Sequence, residues 1–276
     1  MDLKRLKDEL AAIARFLEFA YLPKTASLVR GLDPNTPLGT DPNNLRCDQV
    51  EKTYREEVLY SRNILGEQDP RHHEQLVGPV DNLITQAESK PEVFAQFLVE
   101  SIEVLRAIGE SHGNTRALYA SFLTPKLSRK QGQLLLCLMY LIMTEGVFAN
   151  IARVILGLSA ICRDQGGHGA TGYWELAPND LAERLREENL SVFAEGYNRH
   201  VRNAIAHGRM KYDDTALGVA FQDYDCRRRK ITFDQVVPGV ELAWWYSKLD
   251  DTYLVVSTFF QLYFLPGFLM QYRGKS

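Results

Sequence analysis

One stretch decides the fold: Gly196-Tyr197-Asn198-Arg199-His200-Val201-Arg202-Asn203-Ala204-Ile205-Ala206-His207-Gly208-Arg209. At 100° per residue on a helix, one face is apolar and carries Phe193, Tyr197, Val201, Ala204 and Ile205. The opposite face carries Arg199, His200, Arg202, Asn203 and His207. Gly208 is the expected helix end, because glycine adopts the left-handed conformation found there. The pattern predicts a helix over residues 191–207 that is packed on one side and basic on the other.

These polar residue types are the ones that cleavage of a phosphodiester requires. Histidine titrates near neutral pH, so His207 can act as a general acid or base. Its place near a helix C-terminus favours the cationic form. Arginine matches the geometry of a phosphate and stabilises developing negative charge, a role that suits Arg202. Asn203 lies one turn before His207, so we expect the two side chains to orient each other.

The rest of the second half is predicted to be helical around a small β-hairpin. Helices are expected over 130–158, 179–188 and from Pro238 onward, with a glycine-rich loop at 164–172. Two short strands are expected over 217–222 and 230–233, joined through 224–229.

Helical periodicity also dominates the first half of the chain. Helices are predicted over 2–20, 45–65, 75–89 and 91–108, with a loop over 32–44. Thr124-Pro125 then marks a boundary. We therefore expect an N-terminal helical region over 1–123, with a regulatory or recognition role, and a second domain over 124–276.

Arg202-Asn203-x-x-x-His207, followed by Gly208, resembles the Arg–polar–x–His signature of the HEPN superfamily. The resemblance covers the domain at 124–276 and implies an all-α, HEPN-like helical bundle, here with the small β-hairpin inserted. It further implies a homodimer whose two signature helices face each other and cut RNA without a metal. Members of this superfamily act as toxins of toxin–antitoxin pairs, abortive-infection and anti-phage effectors, and CRISPR-associated nucleases.

The expected function is a metal-independent endoribonuclease in microbial defence or growth control. The 2′-hydroxyl of the RNA attacks the phosphate and leaves a 2′,3′-cyclic phosphate. His207 is the acid–base candidate, Arg202 stabilises the phosphorane, and Asn203 orients. Four further residues are candidates for substrate binding: Arg199, His200, Arg209 and Glu145.

Two points stay open. In several HEPN groups an acidic residue on the earlier long helix faces the signature helix, so Glu145 is expected to orient Arg202, with a salt bridge to Arg153 or simple exposure to solvent as the alternatives. Some HEPN members lack nuclease activity, so the alternative function is a non-catalytic module that binds a nucleotide or a protein.

The composition is that of a soluble protein, with 276 residues and a net charge of −3, so affinity for nucleic acid must come from a local basic patch. Arg227-Arg228-Arg229-Lys230 is one such patch, with a solvated turn as the other interpretation. The expected partners are RNA, a second copy of the chain, and an antitoxin or a phage-derived trigger.

No metal site and no cofactor are expected. The four cysteines show no C-x-x-C spacing, which fits a reducing cytoplasm. Residues 167–172 match the glycine pattern of dinucleotide-binding loops, but a helix rather than a strand precedes them.

One apolar stretch, 252–272, has no charged residue and is long enough to cross a bilayer. It also contains Ser257, Thr258 and Pro266-Gly267. A buried helix or an oligomer surface is therefore expected there, and no membrane association.

Overall fold

A computed structural model describes residues 23–31, 49–50, 52–53, 56, 70–122, 127–163, 172–225 and 227–273, with the backbone alone for 261–273. These residues are mostly helical, with one small antiparallel sheet, which confirms the predicted helical class. The predicted helix at 2–20 and the loop at 32–44 lie outside the described residues. The predicted helix at 45–65 is described at five positions only, and all five are helical.

In chain order the elements are α1 (Pro23–Arg30), α2 (Pro70–Glu88), α3 (Pro91–Glu100), α4 (Ile102–Phe122), α5 (Arg129–Ile142), a π-helical segment (Met143–Phe148), α6 (Ala149–Cys162), α7 (Pro178–Glu187), a 3-10 turn (Ser191–Ala194), α8 (Arg199–Ala206), β1 (Met210–Asp213), β2 (Gly218–Asp225), β3 (Lys230–Pro238) and α9 (Gly239–Arg273).

Internal contacts divide the chain into two compact units. The first comprises Met1–Asp81, Leu98–Glu100 and Leu254–Ser276, and the second comprises Asn82–Phe97 and Ser101–Tyr253. The boundary expected between residues 123 and 124 stays a prediction.

The core of the second unit is built on α5, the π-helical segment and α6, which follow one another without a break. α5 begins at Ser128, whose Oγ accepts a hydrogen bond from the Gln131 N–H at 3.3 Å while the Gln131 side chain accepts from the Ser128 N–H at 2.9 Å. Nearly every side chain of α6 is buried. The long apolar helix predicted over 130–158 is therefore confirmed, apart from its change of pitch.

The change of pitch coincides with a close approach of α4. A Cβ atom added to Gly146 would lie 2.2 Å from Ser111 Oγ, so only glycine fits there. Because a π-helical turn holds an extra residue, it rotates the side chains that follow it relative to a regular helix. Glu145 lies within this turn and is exposed.

The sheet is antiparallel in the order β1-β2-β3. β2 and β3 form the predicted hairpin, longer than expected and with an irregular register between Asp223 and Tyr224. β1 was not predicted, and it pairs with β2 from Met210↔Phe221 to Asp213↔Gly218. Four residues are too few to show an alternating pattern, which explains why β1 was missed. α8 packs against β2 and α5.

Two long apolar stretches of the chain are helical. Within the described residues, Arg129–Cys162 is long and apolar enough by composition to cross a membrane, with a mean hydropathy of 1.9 over its 18-residue window and 50% of that window buried. The charge-free stretch at 252–272 is helical as part of α9. Its side chains up to Phe260 include buried Val255, Val256 and Phe259, in keeping with the buried helix expected there.

Candidate functional site

The helix that carries the basic face is shorter than predicted. Residues 191–194 form a 3-10 turn, and α8 begins only at Arg199, so the single helix expected over 191–207 is wrong in its first half. Gly196 breaks it with a φ of +85°, and a Cβ atom there would lie 2.4 Å from the Trp245 carbonyl oxygen.

Asn198 caps the start of α8, its Oδ1 accepting from the His200 N–H at 3.0 Å. The predicted end is confirmed, since Gly208 has a φ of +65°.

Tyr140 of α5 holds the backbone just before α8 through two hydrogen bonds. Its fully buried hydroxyl donates to the Gly196 carbonyl oxygen and accepts from the Asn198 N–H, both at 2.8 Å. Burial raises the pKa of Tyr140 above its ordinary value, so the hydroxyl stays protonated and remains a donor. One side chain thus satisfies two backbone groups at the turn that leads into the basic helix.

Tyr140→Phe should therefore lower the free energy of unfolding by about 1–3 kcal/mol, because a buried carbonyl and a partly buried N–H lose their partner. Urea denaturation followed by circular dichroism measures this. Tyr197→Phe is the matched control, since the Tyr197 ring stacks on Phe148 at 4.6 Å and its hydroxyl has no hydrogen bond among the described residues. Equal losses in both variants would contradict the role given to Tyr140.

Arg202 is held in place by an acidic residue from the π-helical segment. Its Nε and Nη2 contact Glu145 Oε1, and its Nη1 donates to Asn203 Oδ1 at 2.8 Å. Of the two partners expected for Glu145, the structure brings it into contact with Arg202. Arg153 instead donates to Asn150 Oδ1 at 2.6 Å. The two Nη atoms of Arg202 keep N–H groups for another acceptor, such as a phosphate oxygen.

His207 is exposed at the C-terminus of α8, and among the described residues its side chain has no hydrogen bond or ion pair. The expected contact between the Asn203 and His207 side chains does not form. Asn203 turns instead to Arg202 and to Asp223, where its Nδ2 donates to Oδ2 at 3.4 Å. His207 is therefore accessible to a ligand, while Asn203 orients Arg202.

His200 makes the most contacts of any imidazole on this helix. Its Nδ1 lies 2.9 Å from Asp223 Oδ2 on β2, and its ring stacks on Phe233 of β3 with centroids 5.1 Å apart and planes 1° apart. Arg199 Nε donates to His200 Nε2 at 3.3 Å, and Arg199 Nη1 lies 3.9 Å from Glu183 Oε1.

Asp223 and Phe233 were not identified from the sequence. The available signal was weak: Asp223 falls at the buried positions of β2, in alternation with Val219 and Phe221. An aspartate on the apolar side of a strand needs a partner, which here is His200.

Further basic groups follow along the hairpin. The Arg209 guanidinium lies over the Tyr224 ring, 5.4 Å from its centre. At the β2–β3 turn, Asp225 Oδ1 accepts from the Arg227 and Arg228 N–H groups at 2.9 Å and 3.0 Å, and the arginine side chains are exposed. Arg209 and the β2–β3 turn thus add positive charge beyond the basic side chains of α8.

Metal ligands are not clustered in the described part of the chain, where no group of three or more His, Cys, Asp or Glu side chains is placed to hold an ion.

A comparison with protein-family models gives no match to this chain, and comparisons with curated proteins and with solved structures give none either.

Proposed function

We propose that this protein is an endoribonuclease of the HEPN type that cleaves RNA without a metal ion. One observation carries the proposal: α8 presents an arginine that is oriented by a carboxylate, Arg202 with Glu145, beside an accessible histidine, His207. Guanidinium and imidazole are the two groups that phosphodiester cleavage needs when the substrate supplies its own nucleophile.

In the proposed reaction the 2′-hydroxyl of the RNA attacks the adjacent phosphorus. The Nη atoms of Arg202 donate to the equatorial oxygens of the phosphorane, where negative charge develops. His207 protonates the departing 5′-oxygen. Asn203 supports this indirectly, because its Oδ1 accepts from Arg202 Nη1 at 2.8 Å. The products are a 2′,3′-cyclic phosphate and a 5′-hydroxyl.

Basic residues extend beyond Arg202 and His207 along the chain, and this extent suits an RNA strand rather than a free nucleotide. Residues from Arg199 to Lys230 include eight Lys or Arg and four Asp, although the whole chain is slightly acidic. Arg199, Arg209 and the Arg227–Lys230 turn are proposed to bind phosphates on either side of the cleaved bond.

The biological setting follows from the resemblance alone. We propose a cytoplasmic homodimer that acts in defence or growth control, with an antitoxin or a phage-derived component as its regulator and the region 1–123 as its regulatory part. A non-catalytic module that binds a nucleotide or a protein is the outcome if purified protein leaves RNA intact.

The experiment that tests the proposal determines the chemistry of the cleaved ends. RNA incubated with the protein should yield 2′,3′-cyclic phosphate and 5′-hydroxyl ends, at the same rate with and without EDTA.

A further inference from the structure

We propose that His200 is the general base of this site and that Asp223 is the residue that positions it. The inference rests on the proposed ribonuclease function and adds a second imidazole from the same chain. It assigns the 2′-hydroxyl proton to His200 and leaves the 5′-oxygen to His207.

Two contacts define the tautomer of His200. Asp223 Oδ2 only accepts hydrogen bonds, so the His200 Nδ1 that lies 2.9 Å from it carries the proton. Arg199 Nε only donates, so the His200 Nε2 that lies 3.3 Å from it offers its lone pair. Both contacts require the same tautomer, and Nε2 is the atom of a neutral imidazole that accepts a proton.

The His200 imidazole is held in place by a largely buried carboxylate and by an aromatic ring. The Asp223 side chain is only 11% exposed, and it accepts further hydrogen bonds from the Tyr224 N–H at 2.9 Å and Asn203 Nδ2 at 3.4 Å. Phe233 stacks flat on the ring. Among the described residues, the hydrogen bond at His200 Nε2 is the 3.3 Å contact from Arg199, whose side chain is 52% exposed. A base oriented by a buried carboxylate is the arrangement that general-base catalysis uses elsewhere.

The spacing of the two histidines fits a reaction at one phosphate. His200 and His207 lie seven residues apart, two turns along one side of α8, which corresponds to an axial rise of about 10 Å. In an in-line displacement the 2′-oxygen, phosphorus and 5′-oxygen are collinear, and with a hydrogen bond at each end they span about 9 Å. A single chain therefore supplies a base at one end and an acid at the other.

The protons and bonds of this step balance. As the 2′-oxygen bonds to phosphorus, its proton passes to His200 Nε2, and the resulting imidazolium is stabilised by Asp223. The bond from phosphorus to the 5′-oxygen breaks, and that oxygen takes a proton from His207. His200 ends protonated and His207 neutral, and exchange with solvent restores both.

A substrate with a good leaving group separates the two roles. The four nucleoside 3′-(4-nitrophenyl phosphates) release nitrophenolate without protonation but still need the 2′-hydroxyl to lose its proton. We expect His200→Ala to lower kcat on both RNA and the aryl esters by about 10²–10³-fold. His207→Ala should lower the rate on RNA by about 10²–10⁴-fold and on the aryl esters by less than about tenfold. The control is His73→Ala, which replaces a histidine of α2 and should have wild-type kcat on both substrates.

Asp223→Asn tests the positioning role. It should lower kcat with little change in KM, because a neutral amide no longer stabilises the imidazolium. The ¹⁵N spectrum of the wild-type protein, which does not depend on activity, should show His200 protonated at Nδ1 when neutral, and Asp223→Asn should shift it toward the Nε2-protonated form.

The outcomes divide clearly. Wild-type rates for His200→Ala on both substrates, or an Nε2-protonated His200 in the wild-type spectrum, would overturn the inference and leave the ribonuclease proposal standing. If His200→Ala does not fold, the spectrum of the wild type and the kinetics of Asp223→Asn decide. Wild-type protein that cleaves neither substrate would overturn both proposals together.

Discussion

His207→Ala should lower the rate of RNA cleavage by about 10²–10⁴-fold, the range that general acid–base help contributes. The structure adds a stricter expectation. The His207 side chain is exposed and has no hydrogen bond or ion pair among the described residues, so its removal should leave stability within about 0.5 kcal/mol of the wild type. Activity and stability should therefore separate in this variant.

The measurements are single-turnover cleavage of a labelled RNA and urea denaturation, both on His207→Ala and on the control His73→Ala. A fall in activity that is matched by a fall in stability would indicate damage to the fold instead. Full activity in His207→Ala would remove His207 from the reaction.

Arg202→Ala should lower the rate of cleavage by about 10²–10³-fold, because the phosphorane loses donors aimed at its developing charge. Arg202→Lys should recover only part of this loss. A lysine presents a single point charge, whereas the guanidinium contacts Glu145 and Asn203 with some N–H groups and has others to donate to an acceptor. Glu145→Gln should cause a smaller loss, since the arginine remains but is oriented less firmly.

A second arginine provides the matched control. Arg163 Nη2 lies 2.6 Å from Glu188 Oε1, so it also forms an ion pair, with side chains 43% and 11% exposed and with no residue of α8 in the pair. Arg163→Ala should keep wild-type activity. Since the Arg202 and Glu145 side chains are 25% and 39% exposed, breaking their pair should cost only about 0–1 kcal/mol of stability. Complete rescue by Arg202→Lys would show that charge alone is needed.

The sequence predicts those parts of the fold that depend on local patterns. Apolar spacing identified the helical stretch that became α5 and α6, and Gly208 correctly marked the end of α8. The sequence predicts the start of α8 too early, although the signals for the true start are present: Gly196 and the capping residue Asn198. Phe193 and Tyr197 continue the helical spacing of apolar residues toward the N-terminus, so the pattern does not show that α8 starts only at Arg199. Both side chains are buried although neither belongs to α8.

The parts of the site that sequence analysis missed depend on contacts between distant segments. Glu145 and Arg202 are 57 residues apart, and only a resemblance suggested their contact. His200 and Asp223 are 23 residues apart and meet because β2 packs against α8 in a register that places Asp223 inward. The π-helical turn coincides with the close approach of Ser111 to Gly146, which no helical period reveals.

The central claim is that the RNA supplies its own nucleophile, and the ends of the cleaved RNA test it most directly. A labelled oligonucleotide is cleaved with and without EDTA, the cleavage position is mapped, and the ends are identified by mass spectrometry. The experiment is repeated with one 2′-deoxynucleotide placed 5′ to the cleaved bond, which removes the attacking hydroxyl and nothing else. We expect 2′,3′-cyclic phosphate and 5′-hydroxyl ends, an unchanged rate in EDTA, and no cleavage at the deoxy position. Fragments with 5′-phosphates, or cleavage that persists at the deoxy position, would contradict the account.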